Sequence, residues 1–175
     1  MFDPDRRGFE EFVAARRPAL LRTAYLLTAS HADAEDLVQT ALINCVAVWK
    51  RIADRPEPYV RRVLARESVS RWRRRRWRET SVGAVPEGST QEQDVAGRLA
   101  LREALGALPP RQRAVIVLRY YEDLTERDTA SVLGIAVGTV KSQAREGLAR
   151  LRQRLPDLES DDDPLTAVVA APPPR

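Results

Sequence analysis

Apolar residues recur along this chain at helical spacing, and the pattern is interrupted twice. Phe9, Phe12, Val13, Leu20, Leu21, Ala24 and Leu27 fall close to a 3.6-residue period. They predict a first helical segment that Pro18 breaks or restarts. Ser30 and Asp33 have the spacing of a capping box. The helix they open carries Leu37, Ala41, Leu42, Cys45, Val48, Trp49 and Ile52 on one broad face. Arg55-Pro56-Glu57-Pro58 ends that helix in a loop, and Pro58 suits the first turn of the next one. There Val60, Val63, Leu64 and Trp72 are expected inward and the arginines outward.

The apolar period stops at Thr80. Residues 80–94 are rich in Gly, Ser, Thr and other polar residues and read as a flexible linker. The helical period returns at Val95, with Leu99, Leu101, Leu105 and Leu108. Pro109-Pro110 closes that helix and opens another, with Val115, Val117, Leu118 and Tyr121 inward. Thr125 and Asp128 form a second capping box. Val140, Ala144, Leu148, Leu151 and Leu155 then form one stripe, which Pro156 stops. Residues 157–175, with an Asp run and three consecutive prolines, read as a disordered tail.

The fold class expected is all-α: two small helical domains, 8–79 and 95–156, joined by the flexible linker 80–94. Each is near the lower size limit for independent stability, so a partner that holds both is physically sensible. A tether of ~15 residues spans about 20 Å root-mean-square and up to ~50 Å when extended.

Charge sharpens this picture. The net charge of +4 hides a segregated distribution. Nine arginines and one glutamate lie between Arg61 and Arg78, whereas Asp157 to Asp163 is acidic. A basic stripe of this kind suits a polyanion. Cys45 is the only cysteine, so an internal disulfide is excluded and a reducing cytoplasmic setting fits. With one histidine and one cysteine, a zinc site of the usual kind is excluded. The first residues do not read as a signal peptide, and no run approaches the ~18 apolar residues of a membrane span. No Gly-rich phosphate loop or nucleophile-base set appears. The expectation is therefore a non-enzyme with no cofactor.

The most specific pattern lies between Glu126 and Arg154. Ala130, Gly134 and Val140 have the spacing of a helix-turn-helix. Ala130 is small where two helices would cross, Gly134 sits where positive φ is needed, and Val140 plugs the second helix into the first. That second helix would present Thr139, Lys141, Ser142 and Arg145 to a DNA major groove. An ordinary helical hairpin is the plain alternative. The arginine run is less specific. A solvated face, RNA and anionic lipid compete with DNA, although Trp77 among the arginines offers a stacking plane for an unpaired base. Trp72, Cys45 and Trp49 read as core, and His31 as surface. Asp33, Glu35 and Asp36 suit either a helix N-terminus or an acidic docking patch.

Three segments resemble the extracytoplasmic-function (group IV) sigma factors of bacterial RNA polymerase, with a looser likeness to the actinobacterial SigE-family subgroup. Asp33 to Thr40 is similar to sigma region 2.2. Tyr59 to Arg76 is similar to the last helix of the sigma-2 domain, and Leu108 to Ser142 to sigma region 4. The resemblance implies docking on the β′ clamp coiled coil through Asp36, Leu37, Gln39 and Thr40, with Leu37 beneath or beside that surface. It implies capture of a flipped −10 base by the loop Arg51 to Pro58, which includes Arg55. Arg61, Arg62 and Arg66 would hold the nearby strand, and Arg73, Arg74 and Trp77 would extend that surface. Thr139, Lys141, Ser142 and Arg145 would read the −35 element while the domain rests on the β-flap. The partners implied are core RNA polymerase and promoter DNA, and an anti-sigma factor is a further candidate. Sigma regions 1.1 and 3 are not expected in this chain, nor is an extra C-terminal domain.

Glu146 departs from the pattern, since a basic or apolar residue is usual there. It could accept from cytosine N4 or face Arg150 one turn on. The competing function is a stand-alone helix-turn-helix regulator, which would leave the first domain idle.

Overall fold

The computed structural model describes residues 4–79 and 95–155, and side-chain environments for 6–74 and 99–155. The expected linker 80–94 and tail 157–175 lie outside the described residues, as does the side chain of Trp77. All regular structure in the described residues is helical. In chain order it is α1 (Pro4–Thr28), α2 (His31–Ile52), α3 (Glu57–Glu79), α4 (Val95–Gly106), α5 (Pro110–Ile116), a π-helical turn (Val117–Tyr121), α6 (Glu126–Leu133) and α7 (Val137–Arg154).

Both capping boxes form. Ser30 Oγ accepts from the Asp33 amide at 3.3 Å, and Thr125 Oγ1 accepts from the Asp128 amide at 3.1 Å. Each satisfies one of the amides that a helix start leaves without an intrahelical partner. Pro18, in contrast, does not end a helix: α1 runs through it. Leu20, Leu21, Ala24 and Leu27 beyond the proline pack on the same core as Phe9 and Phe12 before it. That shared packing outweighs the one backbone bond the proline removes.

Helices α1, α2 and α3 bury Ala24, Leu37, Val38, Ala41, Cys45, Val60 and Leu64 between them. Phe9 and Phe12 lie against Trp49, with ring centroids 5.2 and 5.5 Å away. Trp72 corrects the inward assignment made from sequence: it is 40% exposed. It lies two full turns beyond Leu64, where α3 has outrun the core.

A second core joins Leu101, Ala104, Leu105, Leu108, Ile116 and Leu151, and a third joins Val115, Ala130, Val140 and Ala144. Gly147 explains how α5 and α7 approach so closely. A Cβ there would stand 3.0 Å from Ile116 Cγ1. The segment after Pro110 stays α-helical only to Ile116 and then widens into the π turn, where the Glu122 amide donates to Val117 O. Residues Ala114 to Leu118 are all fully buried. No single helical face accounts for five consecutive buried residues. They are shared among neighbours on every side.

One of those neighbours is the first domain. Ala114 and Val117 belong to the core built by α1–α3, and Tyr121 and Leu133 pack against it. The two helical groups therefore meet across an apolar seam. Arg113 crosses that seam: it donates to Leu105 O (2.7 Å), Gly106 O (2.7 Å), Leu108 O (3.1 Å) and, on α1, Leu27 O (3.1 Å). Burial lowers its pKa from 12.5 to about 10. It remains charged at neutral pH, with carbonyl dipoles in place of a counter-ion.

Candidate nucleic-acid and polymerase interfaces

The helix-turn-helix forms as the spacing requires. Gly134 caps α6 in the left-handed region at φ 68°, ψ 40°, with its amide on Ala130 O. A side chain there would be strained, and glycine is not. Ala130 and Val140 are buried together with Val115 and Ala144, which sets the angle of α7 against α6. This leaves Lys141 and Arg145 exposed one turn apart, flanked by the half-buried Thr139 and Ser142. Ser142 Oγ donates to Thr139 O at 3.0 Å, so a partner would compete with a weak local bond for that hydroxyl. Lys141 Nζ lies 3.7 Å from Glu126 Oε2, an exposed ion pair that holds the lysine only loosely.

Glu146 does not join that surface. Its Oε2 accepts from Gln112 Nε2 at 2.9 Å, and Gln112 Oε1 accepts from Arg150 Nη1 at 3.1 Å. The expected link between Glu146 and Arg150 thus passes through α5. The carboxylate helps to seat α7, although the residue itself stays exposed.

On α2 the residues assigned to polymerase docking separate by depth. Asp36 and Gln39 are exposed and Thr40 is half-buried. Leu37 is fully buried in the core, so it supports this surface from beneath and offers no contact of its own. Thr40 Oγ1 donates to Asp36 O (2.9 Å) and accepts from Arg71 Nη2 (2.5 Å), which also reaches Asp36 O (3.2 Å). Arg71 therefore ties α3 to the back of this patch. Sequence reasoning missed its continuation. Ile43 and Val46 are 62% and 58% exposed, and with Asp36 and Gln39 they form one stripe at helical spacing. Phe9, Arg17, Glu35, Val38 and Leu42 join Gln39, Ile43 and Val46 around a shallow groove between α1 and α2. The signal was present: two β-branched residues stand on the side opposite Cys45 and Trp49.

The loop after α2 leaves Arg55 exposed, its amide on Ile52 O, while Pro56 is buried and anchors the start of α3. Arg62, Arg73 and Arg74 are exposed along α3. Arg61 and Arg66 are engaged within the chain. Arg61 Nε donates to Glu122 Oε2 at 2.8 Å, and Glu122 Oε1 accepts from Thr23 Oγ1 at 2.5 Å. Arg66 donates to Val132 O (2.7 Å) and Ser131 O (3.3 Å) at the end of α6.

Among the described residues, no cluster of three His, Cys, Asp or Glu could hold a metal, and no helix is long and apolar enough to cross a membrane. Burial pushes the Cys45 thiol up from 9 to about 11, which keeps it protonated and unreactive.

Comparison with known proteins places both helical groups in one family. Residues 12–78 match the family model for sigma-70 region 2, and residues 98–151 match that for sigma-70 region 4. The chain is 40% identical over 157 residues to the RNA polymerase sigma-E factor of Streptomyces avermitilis, covering 87% of this chain and 88% of that one. It is 34% identical to the ECF RNA polymerase sigma factor SigL of Mycobacterium tuberculosis, covering 79% of this chain and 84% of the other. Among solved structures, a chain of the co-crystal structure of the sigma factor RpoE with the anti-sigma factor NepR from Bartonella quintana matches with a TM-score of 0.67 and 27% identity. The match covers 85% of this chain and 96% of that one. With both regions and the relatives in agreement, the chain belongs to the extracytoplasmic-function sigma factors of the sigma-70 family, the non-enzymatic subunits that direct RNA polymerase to promoters.

Proposed function

We propose a division of labour among three surfaces. The exposed stripe of α2, Asp36, Gln39, Ile43 and Val46 with Thr40 at its edge, docks on the β′ clamp coiled coil. The segment 51–58, whose turn between α2 and α3 carries Arg55, captures a flipped −10 base. Arg61, Arg62, Arg66, Arg73, Arg74 and Trp77 on α3 hold the opened strand. The α7 face of Thr139, Lys141, Ser142 and Arg145 reads the −35 duplex while its module rests on the β-flap. Residues 8–79 and 95–156 are the two working modules.

The observation that carries this reading is the separation of chemistries. The α2 stripe mixes one carboxylate, one amide and two apolar side chains, all exposed. Such a composition suits a protein partner rather than a polyanion. The α3 and α7 faces are cationic and lie on different helices. Opening a promoter costs a few kcal/mol per unstacked base, which single-strand binding must offset. Duplex reading needs a helix in the major groove. A stand-alone regulator would use only the α7 face.

The test is transcription in vitro with core polymerase and candidate promoters. Specific initiation is expected only when the chain is added. Equal binding to duplex DNA with and without core enzyme, and no initiation, would favour the regulator. An anti-sigma factor is a further candidate partner, in line with the Bartonella quintana complex of RpoE with NepR, and co-purification from the native host tests for one.

A further inference from the structure

Glu146 stands on the same helix as Lys141 and Arg145 but outside their cationic face. It lies one residue, or about 100° of helix, past Arg145. Its carboxylate reaches back to α5, where Oε2 accepts from Gln112 Nε2 at 2.9 Å. Gln112 Oε1 accepts in turn from Arg150 Nη1 at 3.1 Å. Gln112 is only 3% exposed, so both ends of its amide need partners within the protein. It finds both on α7. Glu146 and Arg150 are four residues apart and so lie on one side of that helix. A single buried amide thus pins α7 at two points one turn apart.

The pin sits where the two helices are closest. Gly147 follows Glu146, and a Cβ there would stand 3.0 Å from Ile116 Cγ1 and 3.6 Å from Gln112 Cβ. Val140, Ala144 and Leu151 hold α7 against its module by apolar contact. Apolar packing is non-directional and resists separation more than rotation about the helix axis. Hydrogen bonds are directional and weaken as their angle bends, so the relay acts on that rotation. Side chains end about 5–6 Å from a helix axis, and a turn of ~10° carries them by about 1 Å. The range of a good hydrogen bond is about 0.5 Å.

We propose that Gln112 is a positioning residue for promoter reading: through Glu146 and Arg150 it fixes the rotation of α7 that aims Lys141 and Arg145 at the bases. Selectivity for the −35 duplex then depends on a buried amide that touches no DNA. This role rests on the reading of α7 as the −35 face.

The experiment uses the full chain assembled with core polymerase. Affinity is measured for a promoter duplex and for the same duplex with its −35 element scrambled. The ratio of the two cancels any change in polymerase binding. Gln112→Glu sets two carboxylates against each other and breaks the bond to Glu146. Adding Glu146→Gln exchanges amide and carboxylate, so that the new amide on α7 donates to the new carboxylate on α5 and Arg150 keeps an acceptor. Gln112→Glu alone is expected to lower the ratio roughly tenfold, as the loss of one base contact does. The exchanged pair should restore it to within about twofold of the unaltered chain. A packing defect at either site would not be repaired by the second substitution. Glu146→Ala, at an exposed position, should lower the ratio in the same direction with the thermal midpoint within a few degrees of the unaltered chain.

If Gln112→Glu and Glu146→Ala keep the ratio while Lys141→Ala with Arg145→Ala loses it, the positioning role is overturned and the −35 face stands. If the exchanged pair stays as poor as Gln112→Glu alone, the hydrogen bonds are not the cause, and the role is overturned again. If Lys141→Ala with Arg145→Ala keeps the ratio, the −35 face is misplaced and the role of Gln112 falls with it.

Discussion

The two faces proposed to bind nucleic acid differ in readiness. On α7, Lys141 and Arg145 are exposed, and among the described residues Lys141 has only a weak surface ion pair. On α3, Arg61 and Arg66 are held by a carboxylate and by helix-end carbonyls from another part of the chain. Both faces are basic in sequence, yet only one presents all its cations. Arg113 extends the lesson, because among the described residues its partners are four carbonyls and no carboxylate. A positive charge shows what a residue could bind, and its neighbours determine whether it is available.

The largest effect is expected at the residue that joins the two regions. Arg113→Ala removes a buried cation that four carbonyls share and should cost ~3 kcal/mol or more, read as a drop in thermal midpoint. If Arg113→Ala melts no earlier than Arg111→Ala, at an exposed position, the seam does not depend on Arg113. Next comes a pair on α2 that separates support from contact. Leu37→Ala should destabilise the fold by about 2–5 kcal/mol as a buried leucine does. Asp36→Arg should leave the melting curve in place and weaken binding to core polymerase in a titration. Unchanged affinity would remove Asp36 from the docking face.

On the ready face, Lys141→Ala with Arg145→Ala should lower use of −35-dependent promoters, at about 1–3 kcal/mol per lost base contact, with no loss of stability. Normal promoter use would put the reading face elsewhere. The smallest effect concerns Cys45. Its folded pKa is raised from 9 to about 11, so the unfolded thiol ionises first. The stabilising contribution is complete below pH 9 and declines as pH rises through about 11. Near pH 8, iodoacetamide should label the native chain far more slowly than the urea-unfolded one.

Much of this was legible in the chain because it is local. The capping pairs Ser30/Asp33 and Thr125/Asp128 act within one turn, and Gly134 is demanded by the φ of a single residue. The stripe from Val140 to Leu151 needs only helical geometry. Errors began where an assignment depended on a distant element. Trp72 falls on the apolar period of α3 but extends past the core that would cover it. Pro18 would break an isolated helix, yet α1 continues through it because α2 supplies the packing. For Leu37 the motif left open a place beneath or beside the docking surface, and depth decides for beneath. Ile43 and Val46 were readable from the α2 period, but a partial apolar face drew attention inward.

The sequence by itself determined the helices, their caps, the helix-turn-helix and the family, since each rests on neighbours within a few turns or on motif residues. Only the tertiary structure decided that Glu122 would hold Arg61 and Thr23, that Arg66 would close on α6, and that Arg113 would cross to α1. Those contacts join residues 61, 65, 66, 86 and 99 positions apart. Pairing at such separations is set by how apolar faces stack, and no local period encodes it.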